Sequence, residues 1–214
     1  HLFEQHNVMR ALKNSFATTI LQTVLALAVS SIAGYGFEIY HDKAKDTVMA
    51  ILMLAMMVPF VAVLVPLFQM FTKAKLINSW AGFIMPSIAT PFLIMYFRNS
   101  ARSFPRDTLE AARIDGLNEF QIFIRMFIPM MKPTYASAAT ITFMNAWNAY
   151  LWPKVIMQTN EAITMPMLVA NTMGGYVIDY GVVMAAVTIC SLPTVIIFFC
   201  LQKSFTNAVA GAVK

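Results

Sequence analysis

The chain has 214 residues, of which 59% are hydrophobic and 12% charged, with a net charge of +5. A soluble domain carries roughly twice that share of charge, so too few polar side chains are present to wrap the apolar ones, and lipid is the expected solvent. The basic residues are spread between apolar runs, which fits membrane orientation and not the concentrated basic face of a nucleic-acid-binding protein.

Five charge-free runs are long enough to cross about 30 Å of hydrocarbon, which takes roughly 20 helical residues. They are Asn14–Phe37, Thr47–Thr72, Leu76–Phe97, Pro133–Pro153 and Tyr180–Gln202. The spans are accordingly placed at 14–37, 48–72, 77–97, 133–153 and 180–202. Pro59 and Pro66 should kink the second, and Pro86 and Pro91 lie inside the third. No ionisable Asp, Glu, Lys, Arg or His lies deep in any of them. A sixth uncharged run, Ala162–Ile178, is short and interrupted by Pro166, Asn171, Gly174 and Gly175. It reads as a loop that dips toward the membrane or packs on the other helices. Cys190 and Cys200 share the last run, about 15 Å apart along a helix, too far for a disulfide.

Orientation follows from the basic residues between the runs. With five crossings and an external N-terminus, the inner side carries Lys43, Lys45, Arg98, Arg102, Arg106, Arg113, Arg125, Lys132, Lys203 and Lys214. The outer side carries Arg10, Lys13, Lys73, Lys75 and Lys154, so the balance is ten to five. A crossing by Ala162–Ile178 would reduce it to eight against seven. This topology places Arg98–Lys132 in the cytoplasm and calls for one more helix before the chain's first residue, His1.

Within that loop, Asp107 is positioned to cap a short helix, with Glu110 at the third helical position and Gly116 able to take the left-handed conformation that ends it. Two turns of helix are too short to be stable alone in water, so this one needs something to dock against. Asn118 can cap a second helix, on which Phe120, Phe123, Ile124, Phe127 and Ile128 form an apolar face, with Pro129 and Pro133 leading into the next span. The residues alone leave open an ordinary amphipathic connection between two spans.

The run Glu110-Ala111-Ala112, three residues, Gly116, nine residues and Met126-Phe127-Ile128-Pro129 resembles the EAA loop of bacterial binding-protein-dependent ABC importer permeases. The family pattern has Ile and Leu where this chain has Met126 and Ile128. Arg113-Ile114-Asp115-Gly116 and Lys132-Pro133 look like the carbohydrate branch. Asn14-Ser15 at the start of the first span looks like the usual entry to the family's core domain, and Trp147-Asn148-Ala149-Tyr150-Leu151-Trp152-Pro153 resembles the sugar-permease stretch that often has an acidic or amide residue where Ala149 stands. The end from Gln202-Lys203-Ser204-Phe205 through Gly211-Ala212-Val213-Lys214 is similar to the tail of the maltose-type second permease subunit.

The resemblance implies an all-α integral membrane protein: five transmembrane helices of a six-helix permease core, lacking the first, with a cytoplasmic coupling helix in the loop 98–132. The whole chain, 1–214, would be one transmembrane domain in the bacterial plasma membrane. It implies a second permease subunit, two ATP-binding cassette ATPase subunits and an extracytoplasmic solute-binding protein as partners. ATP would be used by the ATPases, with no cofactor, no metal and no catalytic residue in this chain. No nucleotide-binding glycine loop is present, and His1, His6 and His41 lack metal-ligand spacing. The ATPase-coupling residues would be Glu110, Ala111, Ala112, Asp115, Gly116, Met126, Ile128 and Pro129. Ala111 and Ala112 would permit close approach to the ATPase, and Glu110 would fix the orientation. A solute path could use Asn145, Asn148 and Trp152; alternatively the two amides bond neighbouring helices and Trp152 anchors at the interface. The solute would be a sugar, or else a polyol or glycerol phosphate derivative carried by the same architecture. An ion-coupled carrier or channel would need intramembrane ionisable groups or a filter sequence, and a membrane enzyme would need paired His, Asp or Glu; neither pattern is present.

Overall fold

In hydrocarbon a backbone N–H or C=O finds no partner except another backbone group, so an apolar chain meets lipid as helix. The computed structural model describes residues 8–174 and 178–211, with side chains described as far as residue 200. Every regular element among the described residues is helical. In chain order they are α1 (Val8–Ile39), α2 (Lys43–Ala55), α3 (Phe60–Lys73), α4 (Trp80–Ile84) with a 3-10 turn Met85–Ser87, α5 (Pro91–Ala101), α6 (Arg106–Ile114) and α7 (Glu119–Ile122). A π-helical turn at Phe123–Phe127 leads through α8 (Ile128–Met130) into α9 (Lys132–Trp147), followed by α10 (Leu151–Ile156), a 3-10 turn Asn160–Ala162, α11 (Met165–Thr172) and α12 (Tyr180–Gly211).

Proline sets most of these boundaries. It lacks an N–H and disfavours helical backbone at the residue before it, but fits a helix's first turn. Pro59 and Pro105 sit at N-caps, and Pro91, Pro129 and Pro166 lie at the first or second helical position. Pro133 and Pro153 fall in the first turns of α9 and α10. Pro66 and Pro193 lie inside helices. Side chains finish other starts: Asp42 accepts the Lys45 N–H at 2.8 Å, and Ser79 accepts that of Gly82 at 3.0 Å.

α1 and Tyr180–Cys200 of α12 are each long and apolar enough to cross a membrane. Counting α2 with α3, and α4 with α5, as broken spans raises the number to four. The runs expected at 48–72 and 77–97 therefore do not fold as single rods; they break before Pro59 and Pro91. The run at 133–153 divides into the 16-residue α9 and the six-residue α10. Apolar length is visible in the sequence, whereas the stopping point of each helix depends on local backbone chemistry. Among its described residues the run Ala162–Ile178, expected as a loop, contains the end of the 3-10 turn and the eight-residue α11; Gly175 lies outside the described residues, as do His1 and His6.

The chain forms two compact units. One comprises His1–Val24, Pro59–Ser87 and Thr140–Cys200; the other comprises Leu25–Val58, Ile88–Ala139 and Leu201–Lys214. In the first, the start of α1 is polar inside and apolar outside. Ser15, Thr18, Thr19, Gln22 and Thr23 are buried, while Phe16, Ile20, Leu21 and Val24 are exposed. Asn14 Nδ2 donates to the carbonyls of Glu161 and Ile163 at 2.8 and 2.9 Å, and Ser15 Oγ accepts the Met165 N–H at 2.7 Å. These bonds hold the strap before α11 against α1. The core beside them gathers Val8, Ala11, Phe143, Trp147, Met165, Leu168 and Ala186. The Trp147 indole N–H donates to the Cys190 carbonyl at 2.8 Å, and both cysteine thiols are free.

In the second unit α1 and α5 approach at backbone distance. A Cβ on Gly34 would lie 2.6 Å from Phe97 Cβ, 2.7 Å from the Arg98 amide nitrogen and 2.9 Å from the Ile94 carbonyl oxygen. Two of the three obstacles are main chain and cannot step aside. Gly36, two residues on, has nothing within 4 Å of the same position. We predict that Gly34→Ala forces α1 and α5 apart and costs about 1–3 kcal/mol, as overpacking does. Gly36→Ala should be neutral or gain up to about 1 kcal/mol from helix propensity. Thermal unfolding of the two variants in detergent checks both; equal melting temperatures would refute the close approach.

Candidate functional site

The segment between α5 and α9 holds the densest set of candidate residues, and its geometry starts from α6. Pro105 is its N-cap, without a side-chain hydrogen bond, so the helix begins earlier than an Asp107 cap would allow and places Asp107 in the first turn. The expected box between Asp107 and Glu110 is therefore replaced by proline's fixed φ and missing N–H. The other end is as expected: Gly116 has φ +80°. The Gly116 N–H donates to the Arg113 carbonyl at 3.1 Å and the Leu117 N–H to that of Ala112 at 3.0 Å. This is a full Schellman closure, and Leu117 packs against the core that holds Ala112.

α6 buries Leu109 and Ala112 in a core of Tyr35, Ala101, Phe104, Ile122, Phe123, Phe127 and Met131. Glu110, Ala111, Asp115 and Gly116 are exposed. Met126 and Ile128 are half-buried against the same core, and Pro129 is exposed. An open groove of about 550 Å³ runs along the helix, lined by Asp107, Thr108, Ala111, Ala112, Asp115, Leu117 and Met126. Of the eight coupling candidates, the structure thus brings Ala111, Ala112, Asp115 and Met126 to one groove and sets Glu110 and Gly116 on the exposed surface of the same short helix and its cap.

Asn118 caps α7 through a reciprocal box: its Oδ1 accepts the Gln121 N–H at 2.9 Å, and Gln121 Oε1 accepts the Asn118 N–H at 3.0 Å. The apolar face expected beyond it does not stay together. A π turn occupies Phe123–Phe127, and Ile122, Phe123 and Phe127 are inside while Phe120 is 72% exposed and Ile124 43%. Ile114, at the end of α6, is 86% exposed. The helical period alone gives no sign that these apolar side chains are exposed.

Two polar clusters also escape the sequence. Arg113 Nε donates to Glu119 Oε1 at 2.8 Å, and the Tyr35 hydroxyl donates to Glu119 Oε2 at 3.4 Å. Arg98, 5% exposed, donates from Nη2 to Asp46 Oδ1 at 2.5 Å and from Nε to Glu38 Oε2 at 3.4 Å. His41 Nε2 lies 3.0 Å from Asp46 Oδ2. Arg98 and its partners are 60 and 52 residues apart, which no local pattern signals. Burial pushes the Glu119 carboxyl up, but hydrogen bonds from Arg113 and Tyr40, with the Arg113 charge, hold it below the usual carboxylate range. The hydrogen bond from Arg98 holds Asp46 below that range too, against some desolvation.

The three solute-path candidates separate. Trp152 is buried; its indole N–H donates to the Gly82 carbonyl at 3.0 Å and its ring meets Phe71 edge-on at 5.2 Å. With the Asn78 N–H donating to the Ile156 carbonyl at 2.9 Å, it fastens α10 to the turn before α4 and to α4 itself. Asn145 and Asn148 are exposed, and Asn148 Nδ2 donates to its own helix at the Met144 carbonyl, 2.8 Å away. Asn148 also borders a cleft of about 310 Å³ with Tyr150, Pro166, Met173 and Ser191.

Two predictions follow from these contacts. Because Asp46 has a depressed carboxyl, the stability it contributes is present above the unfolded pKa and is lost as pH falls through the lower folded value. Wild type should therefore outlast Asp46→Asn at pH 7 and lose that advantage below about pH 4 in melting experiments; an advantage that grows with acidity would contradict the pairing. Trp152→Phe keeps the ring but leaves the Gly82 carbonyl without its donor, and should cost about 1–3 kcal/mol. Solute selectivity should not change, which uptake competition would test.

The fold and the relatives agree. The structure superposes on a bacterial ABC transporter that imports the acidic polysaccharide alginate with a TM-score of 0.86, covering 95% of this chain and 77% of that chain at 22% identity. In sequence the chain is 40% identical over 212 residues to the lactose transport system permease protein LacG of Rhizobium radiobacter, covering 99% of this chain and 78% of LacG. It is 35% identical to the arabinooligosaccharides transport system permease protein AraQ of Bacillus subtilis, covering 94% of this chain and 72% of AraQ. Residues 26–211 match the family model of the binding-protein-dependent transport system inner membrane component. Permeases of that kind work with a binding protein and with separate ATPase subunits that use the ATP, and themselves have neither ATPase activity nor a cofactor. With that match and a relative 40% identical along almost its whole length, the chain belongs to the binding-protein-dependent transport system inner membrane component family and is a multi-pass permease of the cytoplasmic membrane.

Proposed function

We propose that this permease is a transmembrane subunit of an ATP-driven sugar importer, forms one half of the translocation path with a second, related permease subunit, and receives ATPase motion through α6. The sugar assignment is supported by relatives named for lactose, arabinooligosaccharides, and melibiose, raffinose and stachyose. A glycerol-linked solute is the second reading, favoured by a 28% identical relative named for sulfoquinovosyl glycerol transport.

The observation that carries the coupling role is the shape of α6. It is nine residues long, closed at one end by Gly116, and anchored inward by Leu109 and Ala112. Its outer surface offers a groove floored by alanine, with Glu110 and Asp115 exposed at the sides and Ile114 uncovered. A helix this short is not stable by itself, so its core contacts make it a rigid knob that a partner can push. On this reading Ala111 at the surface, with the small Ala112 behind it, allows the ATPase backbone close, Glu110 sets orientation, Met126 and Ile128 brace the knob from the core, and the exposed Pro129 starts the turn that leads away. Residues 98–132 then face the cytoplasm, and α1, α2 with α3, α4 with α5, α9 with α10, and α12 supply five crossings. Asn145 and Asn148 are the amides proposed to meet sugar hydroxyls; Trp152 supports them from the core.

The reading is tested in the complete complex. Hydrolysis by liposome-reconstituted complex should rise with one sugar from a panel of lactose, arabinooligosaccharides, melibiose and raffinose, and a response to none of them would count against the sugar. A cysteine at Ala111 should cross-link to the ATPase. Gly116→Val would force a β-branched residue to φ +80°, a conformation that costs about 1–3 kcal/mol. It should reduce uptake while the complex still assembles. Normal uptake by an assembled Gly116→Val complex would sink the knob model.

A further inference from the structure

Two ionic clusters in the second unit converge on the last two turns of α1. At one side, Arg113, at the end of α6, binds Glu119 at 2.8 Å, and Glu119 in turn accepts the Tyr35 hydroxyl of α1. The Tyr35 ring is buried edge-on against Phe123 at 5.3 Å and Phe127 at 4.9 Å. At the other side Glu38 meets Arg98 of α5 at 3.4 Å, and Arg98 reaches on to Asp46 of α2 at 2.5 Å. Tyr35 and Glu38 are three residues apart and so neighbours on the helix surface. The end of α1 therefore joins two sets of bonds through adjacent positions on one rigid helix, a line from α6 on one side to α5 and α2 on the other.

Stability is the smaller part of what this line supplies. Arg113, Glu119 and Asp46 have 42%, 41% and 47% of their side chains exposed, and exposed pairs contribute little. Arg98 is the opposite case, with 6% of its side chain exposed, and burying a guanidinium carries a desolvation penalty that an apolar side chain would avoid. What the arrangement supplies is geometry. Charged bonds with fixed partners transmit a displacement where apolar contacts would slide, and α2 and α5 pack directly on each other. Both helices end at breaks, near residues 56–59 and 88–90, so a pull on them need not bend a longer rod.

We propose that Tyr35, Glu38, Arg98 and Glu119 are positioning residues that carry the displacement of α6 through the end of α1 to α5 and α2. The proposal rests on the reading of α6 as the ATPase contact. It requires that breaking the line separate hydrolysis from uptake while leaving assembly intact, which a merely structural role would not do.

The experiment uses the complete complex in liposomes, with ATP hydrolysis and uptake of the panel sugar that stimulates it measured together. Glu119→Gln and Arg98→Met should each lower uptake per ATP hydrolysed by roughly tenfold, in the usual range of coupling between linked sites, with the ATPase still bound. Lys45→Met, which removes only the exposed pair with Asp42, should leave the ratio unchanged. Reversing one pair gives a second measurement: Arg113→Glu and Glu119→Arg should each lower the ratio, and the double variant should restore it. A wild-type ratio in assembled Glu119→Gln and Arg98→Met complexes overturns the proposal. So does a double reversal that restores nothing, and this arm decides alone if Arg98→Met does not assemble. Loss of the Ala111 cross-link would instead overturn the docking of α6, so the two failures are distinguishable.

Discussion

A helix in lipid has to begin somewhere, and each beginning exposes N–H groups that hydrocarbon cannot satisfy. Proline removes one of those groups and holds φ at a helical value, and this chain uses it repeatedly for that purpose. Where an apolar run contains a proline beyond its first turn, the run usually divides there, as before Pro59 and Pro91. Pro66 and Pro193 show that an intact helix can carry one, but the broken runs outnumber a simple reading of apolar length. The pieces that result are short, and short helices depend on side-chain anchoring: Ser79 at the start of α4, Asn118 at α7, Trp152 at α10.

α1 contributes to both units. Its first part buries hydroxyls and an amide and turns its apolar side chains outward, the reverse of a soluble amphipathic helix and the arrangement lipid favours. Asn14 and Ser15 tie down the strap ahead of α11, while Gly34 admits the backbone of α5. Its last turns hold the carboxylate and hydroxyl that meet Arg98 and Glu119. One helix thus carries a polar clamp at its start, a close crossing further along and a charged contact at its end.

Much of this was legible from residues alone. Composition and run length called for a helical membrane protein, the EAA-like loop indicated the importer permease family, and Gly116 and Asn118 take the backbone and capping roles expected of them. The interrupted run read as a loop instead contains the eight-residue helix α11, which starts at Met165-Pro166 because proline fits a helix's first turn. The misses have physical reasons. An acidic cap at Asp107 was a reasonable expectation, but Pro105 starts the helix without one. The apolar face beyond Asn118 assumes an unbroken α period, whereas a π turn interrupts it at Phe123–Phe127 and Ile122 lies inside with Phe120 outside. Trp152 carries two readings, a stacking surface for a solute and an anchor at the interface, and in the structure its N–H bonds the Gly82 carbonyl. The Arg98–Glu38–Asp46 cluster joins three helices through contacts that only folding creates.

The placement of the aromatic residues has an optical consequence. All three tryptophans, Trp80, Trp147 and Trp152, belong to the unit that contains the first half of α1 and α12. Trp147 and Trp152 are buried beside other rings, whereas Trp80 is 46% exposed. The unit that contains α6 has tyrosine and phenylalanine but no indole. Intrinsic emission excited at the red edge of the absorption band therefore comes from one unit only, with Trp80 the indole most open to a collisional quencher. Rearrangement around α6 is dark to that signal, and a single indole introduced there would be read against two shielded emitters and one accessible one.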